Sequence, residues 1–264
     1  MPRFAANLGY LYTDRPLLAR IDAAAASGFQ AIELQFPYDV PAAQVKEAIA
    51  RNKLTVLGIN TPYGARAGSF GVAAVPGHEE EFDAVFAQAL DYITEAGGSA
   101  VHVLAGMAAP HERTAAEKVF IANLQRAADM AAARGVTVLI EPINPRDRPN
   151  YFLNTVEHAA DIIATAGRRN IRMQFDFYHV QIVGGDLITR LEKYLPVIGH
   201  LQCAAVPSRH EPDEGEINYP AVFAAVDRVG YQGWIGAEYR PRGRTEAGLG
   251  WGAAYGLKVN QQGR

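Results

Sequence analysis

Cysteine is nearly absent: Cys203 stands alone in 264 residues. That excludes an intramolecular disulfide and any cysteine-based zinc cluster. No apolar run approaches the ~18 residues of a membrane span. The opening residues, Met1-Pro2-Arg3-Phe4, lead into a strand-like segment without the apolar stretch of a signal peptide, so a cytoplasmic location and no membrane partner are expected. Charge of one sign is scarce too. The 25 Lys+Arg against 28 Asp+Glu give a net charge of −3, which leaves no strongly basic footprint for nucleic acid. The chain carries no Walker A sequence, no Gly-x-Gly-x-x-Gly after an early strand, no Gly-x-Ser-x-Gly and no His-Glu-x-x-His. Gly248-x-Gly250 comes after the last strand-like run, the wrong place for a dinucleotide fold.

What is present is an ordinary globular composition, 49% hydrophobic and 20% charged, in a chain long enough to bury roughly 75% of its unfolded surface. Eight short apolar or β-branched runs occupy 3–8, 31–35, 55–60, 100–105, 137–141, 171–176, 198–203 and 234–238. Helical periodicity fills the intervals. Phe82, Val85, Phe86, Ala89 and Ile93 recur at helical spacing, as do Phe120, Leu124, Ala127, Ala128 and Ala131. Thr114-Ala-Ala-Glu117 reads as a capping box ahead of the second of these helices. Gly28, Gly97, Gly135 and Gly230 stand where helices end. Strands alternating with helices build βαβ units and a parallel sheet, and eight units of about 33 residues make one (β/α)₈ TIM barrel. The expected organisation is a single α/β barrel domain over residues 1–255 and a polar tail, 256–264, either disordered or packed on another subunit. The Gly- and Pro-rich stretch 61–78 is expected to be an irregular loop of the lid or binding-loop kind.

Active sites of such barrels lie at the C-terminal ends of the strands, so the residue ending each run is informative. Four consecutive runs pass from apolar to oxygen-bearing side chains: Val138-Leu-Ile-Glu141, Met173-Gln-Phe-Asp176, His200-Leu-Gln202 and Ile235-Gly-Ala-Glu238. Glu141, Asp176, Gln202 and Glu238 are therefore expected side by side on one arc of the rim. Three carboxylates in one place repel each other, and burial raises their pKa values further. A divalent cation relieves both effects, and all-oxygen donors favour Mg²⁺ or Mn²⁺ over zinc. The plainer alternative, each residue capping a helix or pairing with an arginine, needs four separate reasons. His179, three residues past Asp176, is expected in the first turn of the following loop. Arg209 lies seven residues past Gln202. An imidazole and a guanidinium here suit a substrate with a carboxylate or several hydroxyls; alone, His179 reads equally well as a hydrogen-bonded loop histidine, and the charged segment 207–216 around Arg209 reads more often as a solvated loop. His102 is either a substrate contact at the barrel mouth or a satisfied core histidine. Glu33 either supports the site from behind or pairs with a buried histidine. Arg240 and Arg242 either bind an anion or are surface charge, and Trp251 either stacks on substrate or packs a loop.

These residues sit among longer motifs: Phe36-Pro-Tyr38, Ile140-Glu-Pro-Ile143, Arg209-His-Glu-Pro212, Gly215-Glu-Ile-Asn-Tyr-Pro220 and Gly230-Tyr-Gln-Gly-Trp234 leading to Glu238-Tyr-Arg-Pro241. From residue 1 to Trp251 the chain resembles the hydroxypyruvate isomerases and the related 2-oxo-tetronate isomerases of the xylose-isomerase-like barrel superfamily. The resemblance implies a metal-dependent isomerase that interconverts hydroxypyruvate and tartronate semialdehyde through an enediolate. A 2-oxo-tetronate isomerase or a ketose 3-epimerase on the same site is the alternative. It places the acid/base pair on Glu141 and Glu238, and the ligands of Mg²⁺ or Mn²⁺ on Glu141, Asp176, Gln202 and Glu238. His179 and Arg209 fall on substrate contacts, and His102 and Arg240 join them as candidates. Gln202 stands where the epimerases carry histidine, which favours the isomerase branch. An apurinic endonuclease of the same superfamily would need a His-rich multi-zinc cluster and a basic DNA face, neither of which this sequence offers. The implied partner is a small 2-oxo acid or sugar-like molecule. Family members often form dimers or tetramers, so a homo-oligomer is also implied.

Overall fold

The computed structural model describes residues 1–65 and 69–259. Nine parallel strands form one sheet: β1 (Arg3–Asn7), β2 (Ala31–Glu33), β3 (Thr55–Val56), β4 (Gly58–Asn60), β5 (Ala100–His102), β6 (Thr137–Ile140), β7 (Ile171–Asp176), β8 (Ile198–Cys203) and β9 (Trp234–Ala237). The order is β3-β2-β1-β9-β8-β7-β6-β5-β4. Its two ends are halves of the single run 55–60, parted at Leu57. The Leu57 N–H donates to Ile32 O at 2.9 Å and the Leu34 N–H to Gly58 O at 3.0 Å, so the ring closes across the break. The expected (β/α)₈ barrel is therefore present. All strand interiors are buried apart from a few end residues, which is why their sequences read as continuous apolar runs rather than alternating ones.

Among the described residues eight α-helices surround the ring: α1 (Leu17–Ala26), α2 (Ala42–Asn52), α3 (Glu79–Ala96), α4 (Arg113–Ala132), α5 (Val156–Ala166), α6 (Phe177–Val183), α7 (Leu187–Tyr194) and α8 (Tyr219–Arg228). Phe82, Phe86, Ala89 and Ile93 of α3 and Phe120, Leu124, Ala127, Ala128 and Ala131 of α4 face inward as the periodicity required. The expected capping box is not one. The N-cap of α4 is Glu112, and Thr114 already lies inside the first turn. A turn before the helix, with Glu112 N–H donating to Ala109 O at 2.9 Å, starts it earlier; a residue whose own backbone is helical does not fill the N-cap position. Gly28, Gly97, Gly135 and Gly230 all take positive φ at helix ends, as expected.

The described residues of 61–78 preceding α3 form no helix or strand. They are tied down by a bridge between Gly71 and Ala105 and by Asn123 Nδ2 donating to Ala73 O at 2.7 Å; residues 66–68 lie outside the described residues. The tail begins packed on this chain: Leu257 is buried and the Lys258 N–H donates to Ser27 O at 2.9 Å. Its remainder, 260–264, lies outside the described residues. Among the described residues no helix is long and apolar enough to cross a membrane.

Phe120 joins α4 to the core, fully buried with its ring 5.5 Å from that of Phe152. Phe120→Ala is expected to destabilise the fold by about 3–5 kcal/mol, the range for a buried phenylalanine that leaves a cavity. Denaturant unfolding measures it.

Candidate active site

The parallel register sets the site. Asp176 of β7 pairs directly with Gln202 of β8, and Gln202 with Gly236 of β9. Glu141 directly follows β6 and Glu238 directly follows β9, so all four residues stand at the C-terminal ends of consecutive neighbouring strands, and all are buried. Ligand atoms of Glu141, Asp176 and His179 lie within 4.8 Å of one another. Three buried oxygens here have no hydrogen-bond partner: Glu141 Oε1, Asp176 Oδ2 and Gln202 Oε1. Orphaned buried oxygens are strongly unfavourable in water-free protein, and three of them at neighbouring strand ends form a donor set suited to a hard divalent cation. Mg²⁺ or Mn²⁺ is the kind of ion this set would hold.

Glu238 differs. Its Oε2 accepts from Arg209 Nη2 at 3.0 Å, and its Oε1 accepts from Gln35 Nε2 at 2.5 Å and Asn7 Nδ2 at 3.4 Å. The same Arg209 nitrogen is 3.9 Å from Asp176 Oδ2. Arg209 is thus no solvated loop residue. Its guanidinium lies between the rings of Tyr10 (5.0 Å) and Tyr178 (4.8 Å) and reaches Asp147 Oδ2 at 3.3 Å. Its backbone is held at φ 57°, a left-handed conformation that is uncommon for a non-glycine residue and clusters at functional sites.

The electrostatics follow from burial. Burial pushes the Glu141 carboxyl well up, helped by Glu238 and Asp176. Asp176 is pushed up to about 6 and Glu238 to about 8 by burial, with Arg209 pulling both the other way. Burial opposes the charge on Arg209 itself, but Glu238, Tyr10 and Asp176 hold it protonated. His102 is pushed down to about 3 by burial and the neighbouring His200, and His179 well down by burial and Arg209, so both rings are neutral.

His179 sits not in a loop but in the first turn of α6, because Asp176 itself caps that helix by accepting the Tyr178 N–H at 2.9 Å. Its Nδ1 accepts the backbone N–H of Asn144 at 3.3 Å, and Asn144 Nδ2 lies 2.6 Å from the same atom. A backbone N–H can only donate, so the neutral ring carries its proton on Nε2. That nitrogen points at Asp176 Oδ2 (3.7 Å) and Glu141 Oε1 (4.0 Å). It is a donor into the site, the wrong tautomer for a metal ligand. His102 Nδ1 lies 3.2 Å from Asn60 Oδ1 and 3.7 Å from Glu141 Oε2, while its buried Nε2 has no partner. Glu33 pairs with buried His200 at 2.5 Å, one of its two expected roles.

A mouth of about 220 Å³ opens above these groups, lined among others by Tyr63, Phe70, Arg148, Arg209 and Arg240. Arg240 is therefore at the site. Arg242 is drawn instead to Glu211, Asp213 and Glu214, and Trp251 packs edge-on against Phe4 and donates to the Tyr239 hydroxyl at 3.2 Å. Arg148, stacked 3.7 Å over the ring of Phe70, and Asn144 are additions that the four strand ends did not nominate. Asn7, Gln35 and Asn60 end or follow the first strands, so the same strand-end reasoning carried around the whole ring finds them.

A barrel with buried acids at its C-terminal rim has the layout of an enzyme active site. The chain belongs to the xylose isomerase-like TIM barrel family, whose model matches residues 21–255. It is 48% identical over 253 residues to a 2-oxo-tetronate isomerase of Cupriavidus necator, covering 95% of this chain and 97% of that protein. It is 39% identical to the hydroxypyruvate isomerase of Escherichia coli, covering 95% and 98%. A solved structure described as an AP endonuclease, family 2, from Brucella melitensis superposes with a TM-score of 0.94 at 43% identity, covering 97% of this chain and 99% of that one.

The raised carboxyl pKa values have a thermodynamic consequence. Groups whose folded pKa lies above the unfolded one destabilise the fold once ionised. In EDTA, Tm is expected to fall as pH rises from the ordinary carboxylate range near 4 through about 8, the raised value for Glu238. Added Mg²⁺ or Mn²⁺ should raise Tm, and most at the alkaline end. Thermal scans across pH, with and without metal, test it; a pH-independent Tm in EDTA, or a metal effect larger at acid pH, contradicts it.

Proposed function

We propose that the chain is a divalent-metal-dependent isomerase of a small 2-oxo acid, moving the carbonyl between C2 and C3 through an enediolate. The observation that carries this is the set of three orphaned buried oxygens, on Glu141, Asp176 and Gln202, beneath a mouth lined by Arg148, Arg209 and Arg240. The proton on C3 must reach C2, and the hydroxyl proton on O3 must reach O2. When bound, Mg²⁺ or Mn²⁺ supplies the Lewis acidity that stabilises the negative charge on the two oxygens. Glu141 and Glu238 take and return the carbon-bound proton. In the metal-free site burial raises both pKa values, and a bound cation would draw them back toward the ionised form that a base needs. Glu238 as a fourth ligand requires Arg209 to release one of its oxygens.

His179 donates from Nε2 to a substrate oxygen, and His102 sits against Glu141 with a free Nε2. The substrate carboxylate goes to the mouth arginines. Arg209 is already committed to Glu238 and Asp147, so Arg240 and Arg148 are the better anchors. Of the candidate substrates, the four-carbon 2-oxo-tetronate comes first: relatives at 48% and 45% identity carry that name, against 39% for the hydroxypyruvate isomerase. Hydroxypyruvate is the second reading. Gln202 in place of histidine disfavours a ketose epimerase. The endonuclease description of the similar structure finds no support in the site. Among the described residues the one group of histidines and acids at metal-binding distances is Glu141, Asp176 and His179, not a multi-histidine cluster. Cytoplasmic location and a homo-oligomeric state belong to the same proposal.

Purified protein would be incubated in D₂O with 2-oxo-tetronate, hydroxypyruvate and a ketose panel, with Mn²⁺, Mg²⁺ or EDTA, and followed by proton NMR. Metal-dependent loss of the C3–H signal with formation of the isomer is expected, fastest with 2-oxo-tetronate. Glu141→Gln and Glu238→Gln are each expected to lower kcat by several orders of magnitude while keeping the fold. Near-normal turnover in either variant removes that residue from catalysis. Cleavage of abasic DNA without isomerase activity overturns the whole reading.

A further inference from the structure

Gln202 is an ambiguous ligand, because a carboxamide presents either an oxygen or an NH₂ to a cation depending on which way it is turned. Only the oxygen serves. We infer that Glu33 is a positioning residue that locks the Gln202 amide with Oε1 toward the metal site, and that Gly236 is glycine to let it do so. The inference rests on the metal-site reading above.

The directions of the hydrogen bonds are fixed from outside in. Asn7 Oδ1 accepts the backbone N–H of Gly9 at 3.0 Å, so its Nδ2 is the end that faces Glu33, donating to Oε2 at 2.9 Å. The same Oε2 accepts from Gln202 Nε2 at 2.7 Å, and His200 Nε2 lies 2.5 Å from Oε1. Three nitrogens thus converge on one buried carboxylate, which accepts and does not donate. Gln202 must turn its NH₂ to Glu33, and its other atom, Oε1, is then left buried without a partner on the side of the metal site. A turned amide would set oxygen against oxygen at Glu33 and present N–H to a cation.

Glu33 reaches this position across the barrel. It leaves β2, whose register puts it beside Asn7, and lies over Gly236, the β9 residue paired with Gln202. A Cβ on Gly236 would fall 1.8 Å from Glu33 Oε1, 2.6 Å from its carboxyl carbon and 2.9 Å from Oε2. No backbone atom is among those three nearest neighbours, and no left-handed φ demands glycine there. The carboxylate is what a side chain there would strike first. Gly236→Ala therefore displaces Glu33 while removing no polar group and no charge.

The test is Mn²⁺ affinity, read by electron paramagnetic resonance titration of free Mn²⁺, on wild type, Glu33→Ala, Gly236→Ala and the double variant. Groups supporting a metal ligand typically contribute 10–100-fold in affinity. Each single variant is expected to bind roughly 10-fold or more weakly. In the Glu33→Ala background the three atoms nearest the alanine at 236 are gone, so the double variant should match Glu33→Ala. Unchanged affinity in Gly236→Ala, or an equal additional loss from it in both backgrounds, overturns the inference. If Glu33→Ala does not fold, Gly236→Ala alone decides, because it retains the charge and moves only its position. Wild type that binds no Mn²⁺ refutes the metal-site reading instead, so the two failures are distinct.

Discussion

Everything at this rim depends on the burial of more acidic groups than the protein's own cations can hold ionised. Glu33, Glu141, Asp176 and Glu238 are all buried within the end of one barrel, and the partly buried Arg209 is the cation that reaches them. Carboxylates removed from water are disfavoured by desolvation and again by one another. The fold does not escape this with histidines, since His102 and His179 are neutral. The metal-free rim therefore favours protonated acids, which a divalent cation would let ionise. Arg209 is held at its post by two tyrosine faces and an uncommon backbone conformation, which marks the placement of that one charge as constrained rather than incidental.

The second constraint is direction. Two groups at the site, the His179 imidazole and the Gln202 carboxamide, have a donor end and an acceptor end, and each is useful only one way round. Each is held by a neighbour without that ambiguity. The backbone N–H of Asn144 fixes His179 as a donor into the site, and the Glu33 carboxylate fixes Gln202 as an acceptor toward it. One end of each side chain is bound to the scaffold so that the other faces the reaction with known polarity. Preorganisation of this kind means that little reorientation is needed when charge develops on substrate oxygens.

The barrel was legible because both of its signals are local. Apolar runs of strand length alternating with helical periodicity need no knowledge of the tertiary fold, and all eight runs form strands. The arc of Glu141, Asp176, Gln202 and Glu238 was legible for a related reason: in a parallel barrel the position of a strand end in sequence is nearly its position in space. The capping box at Thr114 failed because a turn at 109–112, set by a backbone hydrogen bond, starts α4 before the motif. His179 was expected in a loop because nothing local announces that Asp176, a site carboxylate, also caps a short helix. The burial of Arg209 was hidden in a charged segment that looks solvated; only the tyrosines of two distant segments, Tyr10 and Tyr178, reveal its place. Arg148 entered the mouth from a loop whose path no periodicity encodes.

The division between floor and mouth also accounts for the names that similar chains carry. The floor is built on strands, where one change of side chain moves its neighbours: Gly236 bears on Glu33, Glu33 on Gln202, and Gln202 is in register with Asp176. Such a network favours retention as a unit, whatever oxygen-rich substrate lies above it. The mouth draws Tyr63 and Phe70 from the loop before α3, Arg148 from the loop after β6, and Arg209 and Arg240 from the loops after β8 and β9. These residues sit on separate connections that can change length and sequence without disturbing the barrel. Under the proposed isomerase reading, selection between a three-carbon and a four-carbon acid falls to the loops, and the proton transfer to the strands.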